Sequence, residues 1–173
     1  MALRDDDLHR NARRAQAALA SAGSLSQVRE LSESARTSAE AASALGVDVG
    51  QIAKSLVFLA DGCPVVVVLS GSDRVSTELL AAELNAREVR RATAEVVKDT
   101  TGYPIGGVSP AGLPEDVQAL VDRGLDRWDL VWAAAGTPHA VFPTTFGELL
   151  RVTRGRAVDV REEPSGPASS PAG

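Results

Sequence analysis

Gly50-Gln51-Ile52-Ala53-Lys54-Ser55-Leu56-Val57-Phe58-Leu59-Ala60, then Asp61-Gly62, then Cys63-Pro64-Val65-Val66-Val67-Val68-Leu69 is the stretch on which the fold turns. Its two apolar runs, Ser55 to Ala60 and Pro64 to Leu69, flank an Asp-Gly pair, the strongest short-range signal for a tight hairpin. Four consecutive valines in the second run favour a pleated, packed surface, so the pair reads as a buried hairpin.

Toward the N-terminus, Thr37 and Glu40 stand in capping-box spacing before Ala41, Ala42, Ala44 and Leu45, with Gly46 placed to end a short helix. Earlier still, Leu3, Leu8, Ala12, Ala15 and Leu19 recur at roughly helical spacing, and Gly23 follows as the stop. This predicts a leading amphipathic helix over residues 3–22.

Toward the C-terminus, Ser76 is placed to cap a helix over Thr77–Leu84 ending at Asn85, and Thr93 another over Ala94–Thr100 ending at Gly102. Residues Tyr103 to Pro114 hold three glycines and three prolines, which neither a helix nor a central strand accommodates. That segment is a loop, ordered or disordered. Ala119–Asp122, Leu130–Ala135 and Ala140–Phe142 read as strands. Thr145 and Glu148 box the start of a last helix, and Ala157–Val160 read as a closing strand. Strands interrupted irregularly by helices favour an α+β fold with a mixed sheet over a doubly wound one.

The chain has 173 residues, enough for one sizeable core. No run approaches the roughly 20 apolar residues of a membrane span. Met1 to Asp7 is acidic where a secretory signal would be basic and then apolar, so a cytoplasmic location is expected. One cysteine, Cys63, and two histidines, His9 and His139, assemble no Cys/His metal cluster, and no cofactor fingerprint is present. The net charge of -5 argues against a broad phosphate-binding surface, so any contact with a polyanion is expected to be small and local.

Three segments carry candidate chemistry. Lysine occurs only at Lys54 and Lys98, and Lys54 sits at the mouth of an apolar strand, where a charge is costly unless exposed or paired. A phosphate or carboxylate would suit it, and so would simple snorkelling to water. The Gly106-Gly107-Val108-Ser109-Pro110 loop can present backbone N–H groups to a carbonyl or developing oxyanion, or be an ordinary crossover. His139, in the turn Ala135-Gly136-Thr137-Pro138-His139-Ala140, is placed to orient a water or bond a hydroxyl, or is merely exposed. No Ser-His-Asp order or nucleophile elbow surrounds the hydroxyl residues.

Taken in order, Gly50 to Phe58, Tyr103 to Pro110 and Ala135 to Val141 resemble the three signature stretches of the YbaK / prolyl-tRNA synthetase insertion-domain family of trans-editing deacylases, the similarity running from about Ser34 to Val160. The resemblance implies a mixed, largely antiparallel sheet curled into a partial barrel and surrounded by helices. With the leading helix over 1–23 and a tail over 163–173 whose proline, serine and glycine content predicts disorder, the resemblance leaves 24–162 as the editing domain. The implied activity is hydrolysis of the ester on a mischarged tRNA carrying alanine, cysteine, serine, threonine or a small analogue, with a tRNA(Pro)-type acceptor. A non-catalytic module that binds tRNA or a synthetase is the alternative.

The implied catalytic residues are Lys54, Gly106 and His139. Ser55, Gly107, Val108, Ser109, Pro110, Gly136 and Thr137 are the implied substrate contacts. Ser55 stands where relatives place threonine or asparagine, which leaves the amino acid open. The implied partners are the aminoacyl-tRNA 3′ end and an aminoacyl-tRNA synthetase, with no DNA, membrane, metal or cofactor.

Overall fold

A computed structural model describes residues 9–163. Helices are α1 (Arg10–Ser21), α2 (Ser38–Leu45), α3 (Thr77–Leu84), α4 (Ala94–Thr101) and α5 (Phe146–Thr153). Strands are β1 (Arg29–Glu30), β2 (Ile52–Ala60), β3 (Cys63–Ser70), β4 (Val89–Arg91), β5 (Gln118–Asp122), β6 (Val131–Ala134), β7 (Ala140–Thr144) and β8 (Arg156–Val158). The expected start of α1 over residues 3–8, and all but the first residue of the tail expected over 163–173, lie outside the described residues.

Helices α2 to α5 form where hydroxyl side chains end the preceding extended segment. The Oγ atoms of Thr37, Ser76, Thr93 and Thr145 accept from the backbone N–H three residues on. Each such cap contributes about 1 kcal/mol. Gly46, Asn85, Gly102 and Arg154, all at positive φ, end the same four helices.

The sheet runs β1-β7-β6-β2-β3-β5-β8, with β4 added to β2. It is open, with β1 and β8 at its ends. Among the described pairings, β1·β7, β2·β3, β2·β4 and β6·β7 are antiparallel, and β2·β6, β3·β5 and β5·β8 are parallel.

Alternation along β3 explains its valine run. Val66 and Val68 face one side with Ala12, Ala15 and Leu19 of α1, Val97 of α4 and Leu149 of α5. Val65 and Val67 face the other with Leu80 of α3, and α2 covers Ile52 and Trp132 further along that side. A strand covered on both faces needs apolar residues at every position.

Strand β2 is asymmetric. One edge is paired with β3 continuously from Ala53↔Ser70 to Ala60↔Cys63. The other edge pairs with β6 only at Ile52 and Ala53, and with β4 only at Phe58 to Ala60. Between them residues 54–56 meet no neighbouring strand on that edge. The sheet forks there.

Candidate active site

A cavity of about 480 Å³ occupies the fork, within the usual size for a small-ligand site. Its floor is the open edge of β2. Because side chains alternate across a strand, Lys54 lies on the α2 and α3 face and Ser55 on the opposite face with Ala53 and Val57. Both reach the same cavity, which neighbouring residues of a strand do only where its edge is open. The start of α2 and the Gly106–Val108 loop form two walls, and Thr137 and Pro138 a third.

Lys54 is half-buried and donates from Nζ to the carbonyl of Asp73 at 2.5 Å. Burial lowers its pKa below the ordinary lysine range. The carboxylate of Asp73 opposes that shift, and the guanidinium groups of Arg91 and Arg74 add to it. No carboxylate among the described residues forms an ion pair with Lys54, Arg74, Arg91 or Arg36, whereas Arg151, Arg154 and Arg156 at the far end pair with Glu148, Glu115 and Glu83. The wider groove beside those paired arginines, about 890 Å³, is already neutralised and offers an anion less.

The glycine-proline loop is ordered. Tyr103 is fully buried and its hydroxyl donates to the carbonyl of Ala111 at 2.8 Å. Gly107 N–H donates to Pro104 in a turn at 2.9 Å. Among the described residues no acceptor meets the N–H of Gly106 or Val108, and both residues line the cavity. Gly106 sits at φ +83, a conformation that favours glycine.

Gly107, Ser109 and Pro110 lie behind that wall. Gly107 packs on the backbone of Thr137. Ser109 is fully buried, and its Oγ accepts from Ala111 N–H at 3.1 Å.

His139 does not join Lys54. It is exposed and lines a neighbouring cavity of about 440 Å³ with Gly136, His9 and Glu30. Thr137 and Pro138 line both cavities, and Thr137 Oγ1 accepts from His139 N–H at 3.0 Å. No group of three potential metal-ligating side chains occurs among the described residues, and none of their helices is long and apolar enough to cross a membrane.

Four buried side-chain polar atoms have no hydrogen-bond partner among the described residues. Two of them, Ser55 Oγ and Trp132 Nε1, belong to residues that line the fork cavity. Leaving a buried polar atom unpaired costs about 1–3 kcal/mol, and the fold carries that cost at two residues beside the cavity, with both atoms themselves covered. Sequence reasoning missed Trp132, Arg36 and Arg91. Nothing local distinguishes them from an apolar strand residue and two surface arginines.

A small α+β domain whose sheet is split by a ligand-sized, partly cationic cavity defines the class of protein. The chain belongs to the aminoacyl-tRNA editing domain family, whose model matches residues 32–152, and it is an aminoacyl-tRNA deacylase of the YbaK-like type. Relatives include YwhH, an uncharacterised protein of Bacillus subtilis, 31% identical over 122 residues that cover 70% of this chain and 78% of that protein. A proline–tRNA ligase of Streptococcus agalactiae is 34% identical over 130 residues, 75% of this chain but only 21% of the ligase. The crystal structure of a proposed trans-editing enzyme for prolyl tRNA synthetase superposes with a TM-score of 0.84 at 40% identity, covering 91% of this chain and 100% of that one.

Proposed function

We propose that the protein clears mischarged tRNA of a small amino acid by hydrolysing the ester at the 3′ end, with a tRNA(Pro)-type acceptor. The observation that carries this reading is the forked edge of β2. There Lys54, Ser55, and Gly106 and Val108, whose backbone N–H groups meet no acceptor among the described residues, line one cavity of small-ligand size.

In this reading Lys54 holds a phosphate oxygen of the terminal nucleotide. The N–H groups of Gly106 and Val108 receive the ester carbonyl and the negative charge it gains when water attacks. Ser55 and Thr137 bound the amino-acid pocket, and Gly107, Ser109 and Pro110 fix the loop from behind. His139 and Gly136, in the adjacent cavity, meet the nucleoside portion. No side-chain nucleophile is required, because water attacks the ester carbonyl with a free ribose hydroxyl assisting, and the ester oxygen of the terminal ribose leaves as the hydroxyl with a proton from the water, releasing the free amino acid. The same reading places the protein in the cytoplasm, with a synthetase as a further partner.

A second reading, a non-catalytic tRNA-binding module, draws on the placement of His139 away from Lys54, which removes one candidate base from the cavity. Incubation with tRNA(Pro) separately charged with alanine, cysteine, serine, threonine and proline decides between them. Catalytic loss of one or more small amino acids with proline retained supports the enzyme. Binding without turnover on every substrate would sink it.

A further inference from the structure

The two loops that wall the fork cavity touch each other backbone to backbone. A Cβ on Gly107 would lie 2.9 Å from the Cα of Thr137. Neither loop belongs to the sheet ladder. The Thr137 turn accepts at its Pro138 and His139 carbonyls from Ala35 and Leu31 N–H at 2.7 and 2.6 Å, and bonds within a turn do not by themselves fix a backbone wall to the tolerance a reacting carbonyl needs. Both are held from outside by the same helix.

Arg14 of α1 donates from Nη2 to the carbonyl of Thr101 at 3.0 Å and to that of Gly112 at 2.5 Å, bracketing the glycine-proline loop at its two ends. Its guanidinium carbon stands 4.5 Å from the ring centroid of Tyr103, the buried side chain that spans the loop from inside. One turn earlier, Asn11 Nδ2 donates to the carbonyl of Gly136 at 3.1 Å, at the start of the turn that carries Thr137. A Cβ on Gly136 would lie 2.7 Å from the Asn11 carbonyl, so helix and turn are in close contact. The helix itself is fixed, since Ala12, Ala15 and Leu19 are all fully buried in the main core.

We propose that α1 is the positioning element of the site, Arg14 and Asn11 setting the separation between the Gly106–Val108 backbone and Thr137 and hence the geometry in which the substrate is held. The helix precedes residue 32, where the match to the family model begins, so this role lies outside the segment that defines the family. Arg14 suits it because a planar guanidinium with five donors meets two carbonyls and stacks on a ring at once, whereas a lysine ammonium is a single point of contact. The catalytic consequence rests on the editing reading above, while the tether itself does not.

The test compares Arg14→Gln, Arg14→Lys and Asn11→Ala with Arg13→Gln, an exposed control on the same helix. Two measurements are made on the full chain: amide hydrogen exchange, and single-turnover deacylation at saturating protein. With Arg14→Gln folded, exchange in residues 102–112 should quicken about tenfold or more. The saturated rate should fall about 10- to 100-fold while half-saturation moves little, a split that simple loss of stability would not produce. Arg14→Lys should fall between, and Arg13→Gln should match wild type.

Should Arg14→Gln fail to fold, Asn11→Ala carries the same test at residues 136–139. Loops that exchange as slowly as in wild type, or rates that fall only in proportion to the unfolded fraction, overturn the proposal. A wild type that deacylates nothing refutes the editing reading instead, and the exchange arm then still decides whether α1 holds the loops.

Discussion

The two edges of β2 are built from the same nine residues and do opposite things. Along one edge every residue from Ala53 to Ala60 has a partner on β3, and the side chains there, Val65 to Val68, are at most 1% exposed. Along the other edge pairing stops after Ala53 and resumes at Phe58, and the gap holds the cavity. The closed edge supplies rigidity and the open edge supplies unpaired polar groups. A site that needs a half-buried cation can tolerate its cost because the opposite edge fixes the strand that carries Lys54.

If that division of labour holds, damage at the fork should show in rate and damage at the hairpin in stability. The largest effect is expected from Gly106→Val. At φ +83 a branched residue is strained, and the loop must shift its N–H groups away from the carbonyl. A Cβ there would lie 3.5 Å from the Arg36 carbonyl, an ordinary contact, so the chain should still fold. Deacylation should drop about 10²-fold or more, as when one oxyanion donor is removed. A folded variant with normal turnover would show that this loop is only a crossover.

On the closed edge, Val67→Ala should do the reverse. Val67 is fully buried, and losing its two methyl groups should cost about 2 kcal/mol. Calorimetry should then show Tm lowered by roughly 4–8 °C, with the single-turnover rate at 25 °C within about twofold of wild type. A rate loss far beyond the stability loss would mean that the hairpin does not insulate the fork. Least of all should change on chelation. The two histidines are exposed and no three-ligand cluster exists among the described residues. Deacylation in EDTA with the tRNA kept folded should therefore match the untreated rate, and recovery only on adding a divalent ion would contradict this.

How much of this could be read from the residues depends on whether the deciding interaction is local. Thr37, Ser76, Thr93 and Thr145 bond within one turn, so four helices are legible from cap spacing alone. The hairpin is legible from Asp61-Gly62 and the valine run. Strands β1 and β4 are not, being two and three residues long, largely charged and without alternation. They exist because β7 and β2 offer edges to pair with.

In the site, Lys54 and Gly106 are legible because a lone lysine in an apolar run and a glycine-proline cluster are locally odd. The orientation of His139 is not, since the turn carrying it is set by contacts with α1 and with Leu31 and Ala35, all from far along the chain. Arg14 and Asn11 look like any polar residues on the outer face of an amphipathic helix. Their partners, Thr101, Gly112 and Gly136, lie about 90 to 125 residues away.

The charge of Lys54 is the centre of the account, and the pH dependence of single-turnover deacylation tests it most directly. Burial lowers the pKa in the folded protein from 10.5. Folding therefore releases protons in the interval below 10.5, and the contribution of this group to stability rises with pH there and is lost as pH falls through the folded value. Replacing Lys54 should leave Tm unchanged or slightly higher near neutrality. As a phosphate partner, the ammonium must be charged. The wild-type rate should then fall as pH rises through the lowered pKa, and Lys54→Arg should keep part of the activity without that alkaline limb. Lys54→Ala should lose most activity, with a salt dependence shallower by about one phosphate contact. A wild-type rate that instead rises through that pKa, with the arginine and alanine variants equally inactive, would make Lys54 a base and contradict the account.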